Sequence, residues 1–247
     1  MGKGPIQKVG GPLVGLPPLW MTRVIAQAGH IGNSSEIRKK FRKLLGEPAP
    51  EEVDLDSIPP ELAALFTEGG MLQKIRKKLE RMTKKQAKRI AAAKGRVACV
   101  DEDDVVYVGV DFLEKYQNSE DLIAGIMAHE WGHMVSTLPS LDDLDKMSLD
   151  ELLELRRDEE AGADVFAGRV LYVMGYSVDD MIEFLKSLEK IKKKIKTKKY
   201  HPTEIREEIL REAYKAQKKN EETAHKLFAA THWSLGSLMK SKLIGEG

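Results

Sequence analysis

His129-Glu130-Trp131-Gly132-His133 follows directly on an apolar turn containing Leu122, Ile123, Ile126 and Met127. Two histidines four residues apart project from one helix face a turn apart, so both imidazoles can reach a single ion. Glu130 is rotated about 100° from the first of them and can address a water beside that ion. The pattern requires a helix over 119–136, opened by Asn118/Ser119 and ended by Thr137-Leu138-Pro139. The apolar turn would bury this part of the helix. Buried histidines and a carboxylate need partners, and a metal supplies one for each ring. Two core histidines beside a surface glutamate is the bland alternative, and it leaves that requirement unmet.

A catalytic zinc takes three protein ligands and keeps a fourth position for water. The metzincin pattern would place Gly at 136 and His at 139; the residues are Ser136 and Pro139, which rejects that class. The next helix offers Asp158-Glu159-Glu160-Ala161-Gly162-Ala163-Asp164. Glu160 and Asp164 share one face, among small residues (Ala161, Gly162, Ala163, Ala167, Gly168) that let one helix approach another closely. We assign Glu160 as third ligand beside His129 and His133, and Asp164 as the acceptor fixing the tautomer of a ligand histidine. Glu159, turned 100° away by about one helical step, reads as a solvent carboxylate.

Around this motif the chain reads as α+β, mainly α. Val97-Ala98-Cys99-Val100 and 105–110 are β-branched runs separated by an acidic turn, which predicts a β-hairpin. Residues 71–94 read as one long basic helix whose apolar positions Met71/Leu72, Ile75, Leu79, Met82 and Ile90 keep helical spacing. Ser148-x-x-Glu151 is a capping box for a helix closed by Gly175, Ser177-x-x-Asp180 starts another, Pro202 opens one to about residue 219, and a last piece spans about 222–243. Residues 1–20 are rich in Gly and Pro and read as an extended arm, with Leu13, Val14, Leu16, Leu19 and Trp20 available to dock a protein partner. A short helix capped by Asn33 or Ser34 and closed by Gly46 follows, then an acidic, proline-punctuated linker over 48–60. The expected division is an arm with a short helix over 1–59 and a catalytic domain over 60–247.

The run 105–113, then Asn118-Ser119-Glu120-Asp121-Leu122, then the two-histidine motif, resembles the gluzincin peptidases related to HtpX, the CAAX prenyl endopeptidases and the soluble minigluzincins. The Glu-x-x-Ala-Asp motif of that group is matched by Glu160, Ala163 and Asp164. Its His-Pro…Arg-Ile motif is echoed by His201-Pro202-Thr203 and Arg206, although Ile209 falls two positions late. The likeness covers roughly residues 97–210, and the group's transmembrane helices have no counterpart. It implies a zincin-like fold and peptide-bond hydrolysis, with zinc on His129, His133 and Glu160 and with Glu130 as the proton carrier. An extended substrate would pair with the strand at Val106, Tyr107 and Val108. His201, Arg206 and Tyr200 are the candidates for the donor to the developing oxyanion.

Composition removes other classes. Forty Lys+Arg against 39 Asp+Glu leave a formal charge of +1, so net charge offers no case for a nucleic-acid partner. The single Cys99 excludes an internal disulfide. It is either a thiol that reaches the zinc in a zymogen or, by the usual behaviour of a lone cysteine in such a run, a small hydrophobe. No apolar run approaches the ~18–20 residues of a membrane span, and no secretory signal or myristoylation site is visible at the start. The expectation is therefore a soluble, cytoplasmic zinc metalloendopeptidase acting on peptides or proteins. Two alternatives stand beside it: a structural or assembly protein keeping the fold as a scaffold, and a protease associated with a polyanion through the basic runs at 71–94 and 186–199. His30, His225 and His232 are isolated and read as structural.

Overall fold

The computed structural model describes residues 34–192 and 198–244. The arm at 1–20, His30, the Asn33 cap and the side chains of His225 and His232 lie outside the described residues. Helix α1 (Ser34–Leu44) is followed by strand β1 (Glu52–Val53), a 3-10 turn, α2 (Pro60–Phe66) and α3 (Met71–Thr83). Strands β2 (Arg89–Ala93), β3 (Ala98–Val100) and β4 (Val105–Gly109) come next, and then, among the described residues, helices only: α4 (Val110–Tyr116), α5 (Glu120–Val135), α6 (Leu141–Leu144), α7 (Leu149–Met174), α8 (Asp179–Lys192) and α9 (Thr203–Ile244). The architecture is α+β and mainly helical, with one four-stranded sheet in the order β1-β2-β4-β3.

The hairpin of β3 and β4 is present, with Cys99 opposite Tyr107, but it belongs to a larger sheet. The basic helix expected over 71–94 stops at Thr83, where Lys84 takes a left-handed conformation (φ 58°). Residues 89–93 then run parallel to β4, Ile90 beside Val106 and Ala92 beside Val108. Alanines favour helix intrinsically. Here burial on both faces wins: Ile90 and Ala92 join the main core, while Ala91 and Ala93 turn to the other face with Val105 and Tyr107. The 48–60 stretch is not a free linker. Glu52 and Val53 pair with Ala93 and Ala92, and Leu55 and Ile58 pack on the core. Phe41 of α1 and Leu45 just after it pack with Leu144 and Leu152. A boundary at residue 59 therefore does not divide the described residues into two units.

Helix α5 is buried nearly all round from Leu122 to Met134, leaving Glu130 partly exposed, as suits a helix in the middle of a fold. The Trp131 indole donates to Thr83 Oγ1 at 3.0 Å, so it is a packing residue tied to α3. The capping box of Ser148 and Glu151 opens α7, and Gly175, at φ 79°, closes it. Small residues set the spacing on both sides of α7. A Cβ on Gly132 would lie 2.7 Å from Ala163 Cα, and one on Gly168 2.5 Å from the Leu210 carbonyl oxygen of α9. From Thr203, α9 is one continuous helix rather than two pieces. Several basic side chains of α3 are engaged within the fold, Arg76 with Glu80, Lys77 with Glu68 and Lys78 with the distant Tyr176 hydroxyl. Among the described residues no helix is long and apolar enough to cross a membrane.

Candidate metal centre

The close approach of α5 and α7 at Gly132 and Ala163 sets the neighbouring turns of both helices face to face. His129 and His133 point from α5 toward Glu160 of α7, and the three form a buried group that can hold a metal ion. Nε2 of His129 lies 3.3 Å from Nε2 of His133 and 3.2 Å from Glu160 Oε2. His133 Nε2 is 3.6 Å from Glu160 Oε1. Ligand atoms about 2.0–2.1 Å from a tetrahedral zinc stand about 3.3–3.4 Å apart. The ring–ring edge and the His129–Glu160 Oε2 edge lie near that value, while the edge to His133 is measured to the other Glu160 oxygen. One ligand atom from each residue lies within 4.8 Å of the others, and the donor set suits such an ion in chemistry.

Behind this group each ring is backed by a carboxylate. His129 Nδ1 lies 2.9 Å from Asp164 Oδ1. His133 Nδ1 lies 3.2 Å from Glu159 Oε1. Glu159 is therefore not a solvent carboxylate: its side chain is 6% exposed. Helical rotation turns it away from Glu160 but leaves it facing the second ring, because His133 sits one turn further along α5.

Two arginines complete the surround. Arg206 grips Asp164 with two donors, Nε to Oδ2 at 2.7 Å and Nη2 to Oδ1 at 2.8 Å. Arg156 spreads over two acids, Nη1 to Glu159 Oε2 at 2.5 Å and Nη2 to Glu160 Oε1 at 2.8 Å. Glu47, from the turn after α1, lies 3.6 Å from Arg156 and 3.5 Å from Lys199. Arg156, Glu159 and Glu47 were not foreseen. Arg156 stands three and four residues before the two glutamates, a spacing of helical ion pairs, but nothing in the sequence says that such a pair is buried.

Burial opposes every charge in this cluster, and the partners outweigh it. In Glu160 the desolvation is overcome by Arg156, His133 and His129, which hold its pKa well below the carboxylate range. For Glu159 the same contest, with His133 and Arg156 as partners, ends at about 2. Asp164 is also lowered against its burial, chiefly by Arg206 and His129. Burial works against a charged His129, yet Asp164 and Glu160 push its pKa up to about 10.

A cleft of about 1000 Å³ opens over these three side chains, lined among others by Glu130, Cys99, Tyr200 and Arg206. Unlike its two buried counterparts on α7, Glu130 makes no side-chain hydrogen bond or ion pair among the described residues. Its charge is felt across the cleft by Cys99 and Tyr200. Burial first, then the Glu160 charge, pushes the Tyr200 hydroxyl up to about 12, so it keeps its proton at neutral pH. His201 does not line the cleft, whereas its neighbour Tyr200 does. Cys99 is partly buried, and burial followed by the Glu130 charge raises its thiol to about 11. It belongs with the small hydrophobes rather than with reactive thiolates.

The substrate-pairing residues need correction. Val106, Tyr107 and Val108 lie on a central strand, with β2 on one side and β3 on the other, so both edges are already taken. The edge strand bordering the cleft is β3. Gly109 N–H donates to the Val97 carbonyl and Asp101 N–H to that of Val105. By alternation, odd-numbered residues turn their peptide groups to β4, while Ala98 and Val100 turn theirs outward. The Val100 carbonyl accepts from Arg42 Nη1 at 3.2 Å.

No protein-family model matches the chain, and none of the curated proteins compared with it does.

Proposed function

We propose that the protein is a zinc-dependent metalloendopeptidase that hydrolyses peptide bonds at the floor of this cleft. The observation that carries the reading is the buried His129–His133–Glu160 triangle, with the uncommitted Glu130 carboxylate lining the same cavity. Zinc in such a site supplies a Lewis acid and lowers the pKa of a water in its open position toward ~7.

The remaining chemistry belongs to the chain. Glu130, rotated off the ligand face, accepts a proton from the attacking water and returns it to the leaving amine. It pairs with no cation among the described residues, which suits it to that exchange, whereas Glu159 and Glu160 are each held by Arg156. Tyr200, protonated and in the cleft, serves as donor to the developing oxyanion. Arg206 is committed to Asp164 by two bonds and acts through it on His129. An extended substrate adds to the outward N–H and C=O of Ala98 and the N–H of Val100.

Metal analysis of the purified protein beside Glu130→Gln tests this directly. One zinc in each and cleavage of casein by the parent alone is the expected result. Zinc without cleavage in either protein would support the scaffold reading instead, and no zinc in the parent would end the metal-centre reading altogether.

A further inference from the structure

His129 and His133 are served by two similar chains of contacts. On one side run Arg206, Asp164 and His129; on the other run Arg156, Glu159 and His133. We infer that Glu159, carried by Arg156, is a positioning residue that orients His133 on the metal, the counterpart of Asp164 for His129.

The geometry requires both halves. A ligand imidazole that offers Nε2 to the ion needs its other nitrogen protonated and aimed at an acceptor. His133 Nδ1 is shielded from solvent and makes no well-directed hydrogen bond among the described residues. Glu159 Oε1, at 3.2 Å, is the carboxylate beside it, close enough to accept from the Nδ1–H once the ring turns onto a metal. The other Glu159 oxygen is taken by Arg156 Nη1 at 2.5 Å, which restrains the carboxylate beside the ring. The same guanidinium places Nη2 on Glu160 Oε1 at 2.8 Å, while Oε2 is the oxygen that faces His129 Nε2. One arginine thus holds the orienting acid and the ligand acid together. Its planar fork makes this possible, and lysine, a point donor, could not span both.

The inference rests on the metal-centre reading, and its test separates the two. Zinc affinity is measured by competition with a chromophoric chelator for the parent, Glu159→Gln and Arg156→Lys. Alongside, the Nδ1–H signal of His133 is followed by 15N-histidine spectra of the zinc-loaded proteins. Glu159→Gln keeps the volume and an oxygen but loses the charge, and we expect zinc binding about 10- to 100-fold weaker with a His133 Nδ1–H that exchanges faster. Arg156→Lys should fall between parent and Glu159→Gln. If the parent binds zinc and Glu159→Gln binds it equally well with an unchanged His133 signal, the positioning role is wrong and the metal centre stands. If the parent binds no zinc, both fall. Should Arg156→Lys fail to fold, the isosteric Glu159→Gln still decides.

Discussion

Gly132 and Ala163 stand in backbone contact. A Cβ on the first would reach 2.7 Å from the Cα of the second and 3.2 Å from its carbonyl oxygen. The obstacle is main chain, so it cannot rotate aside. Gly132→Ala should force α5 and α7 apart, costing about 1–3 kcal/mol as overpacking does, and should draw Glu160 away from the two rings. Denaturant unfolding and zinc titration of this variant check both effects, and unchanged zinc affinity would show that the approach is not what assembles the ligands.

The charges at the centre predict how the metal-free protein responds to pH. The folded pKa of His129 is raised from 6.5 to about 10. Its contribution to stability is therefore complete below 6.5 and is lost as pH rises through 10. For Glu159, lowered from 4.5 to about 2, the contribution is present above 4.5 and lost as pH falls through 2. Thermal melts of protein stripped with chelator should be most stable between about 4.5 and 6.5 for these two groups. Zinc must displace the His129 proton, so zinc-dependent stabilisation should instead grow with pH.

Cys99 reports on Glu130. With its thiol raised to about 11 from 9.0, alkylation at pH 8 should run about a hundredfold slower than for an unperturbed cysteine. Part of that rise comes from the Glu130 charge. Glu130→Gln should quicken iodoacetamide labelling, measured by mass spectrometry, and no change would mean that the carboxylate does not face this wall of the cleft.

The outward N–H of Ala98 can be removed without touching the sheet. Proline is tolerated on an edge strand where the lost N–H does not serve the ladder. Ala98→Pro should leave the melting temperature close to the parent value. KM for a peptide substrate should rise several-fold, the worth of one hydrogen bond at about 0.5–1.5 kcal/mol. Equal KM values would place the substrate elsewhere.

Short-range pattern was enough for much of this protein. The spacing of His129 and His133, the capping box at Ser148 and the stop at Gly175 all express the geometry of a single helix, and each stands where periodicity puts it. Glu160 and Asp164 could be picked out together because residues four apart share a helix face one turn apart. Partners far apart in sequence escaped that kind of reasoning. Arg89 to Ala93 carries helix-favouring alanines, and only the neighbours β1 and β4 make it a strand. Val105 to Gly109 looks like any β-branched run, and whether such a run is edge or centre depends on what else joins the sheet. Glu159 is one helical step from Glu160, and it counts as buried rather than solvated because His133 and Arg156 meet it there. Local covalent geometry therefore settles which residues share a face, while long-range packing settles which faces are covered and which charges must find a partner.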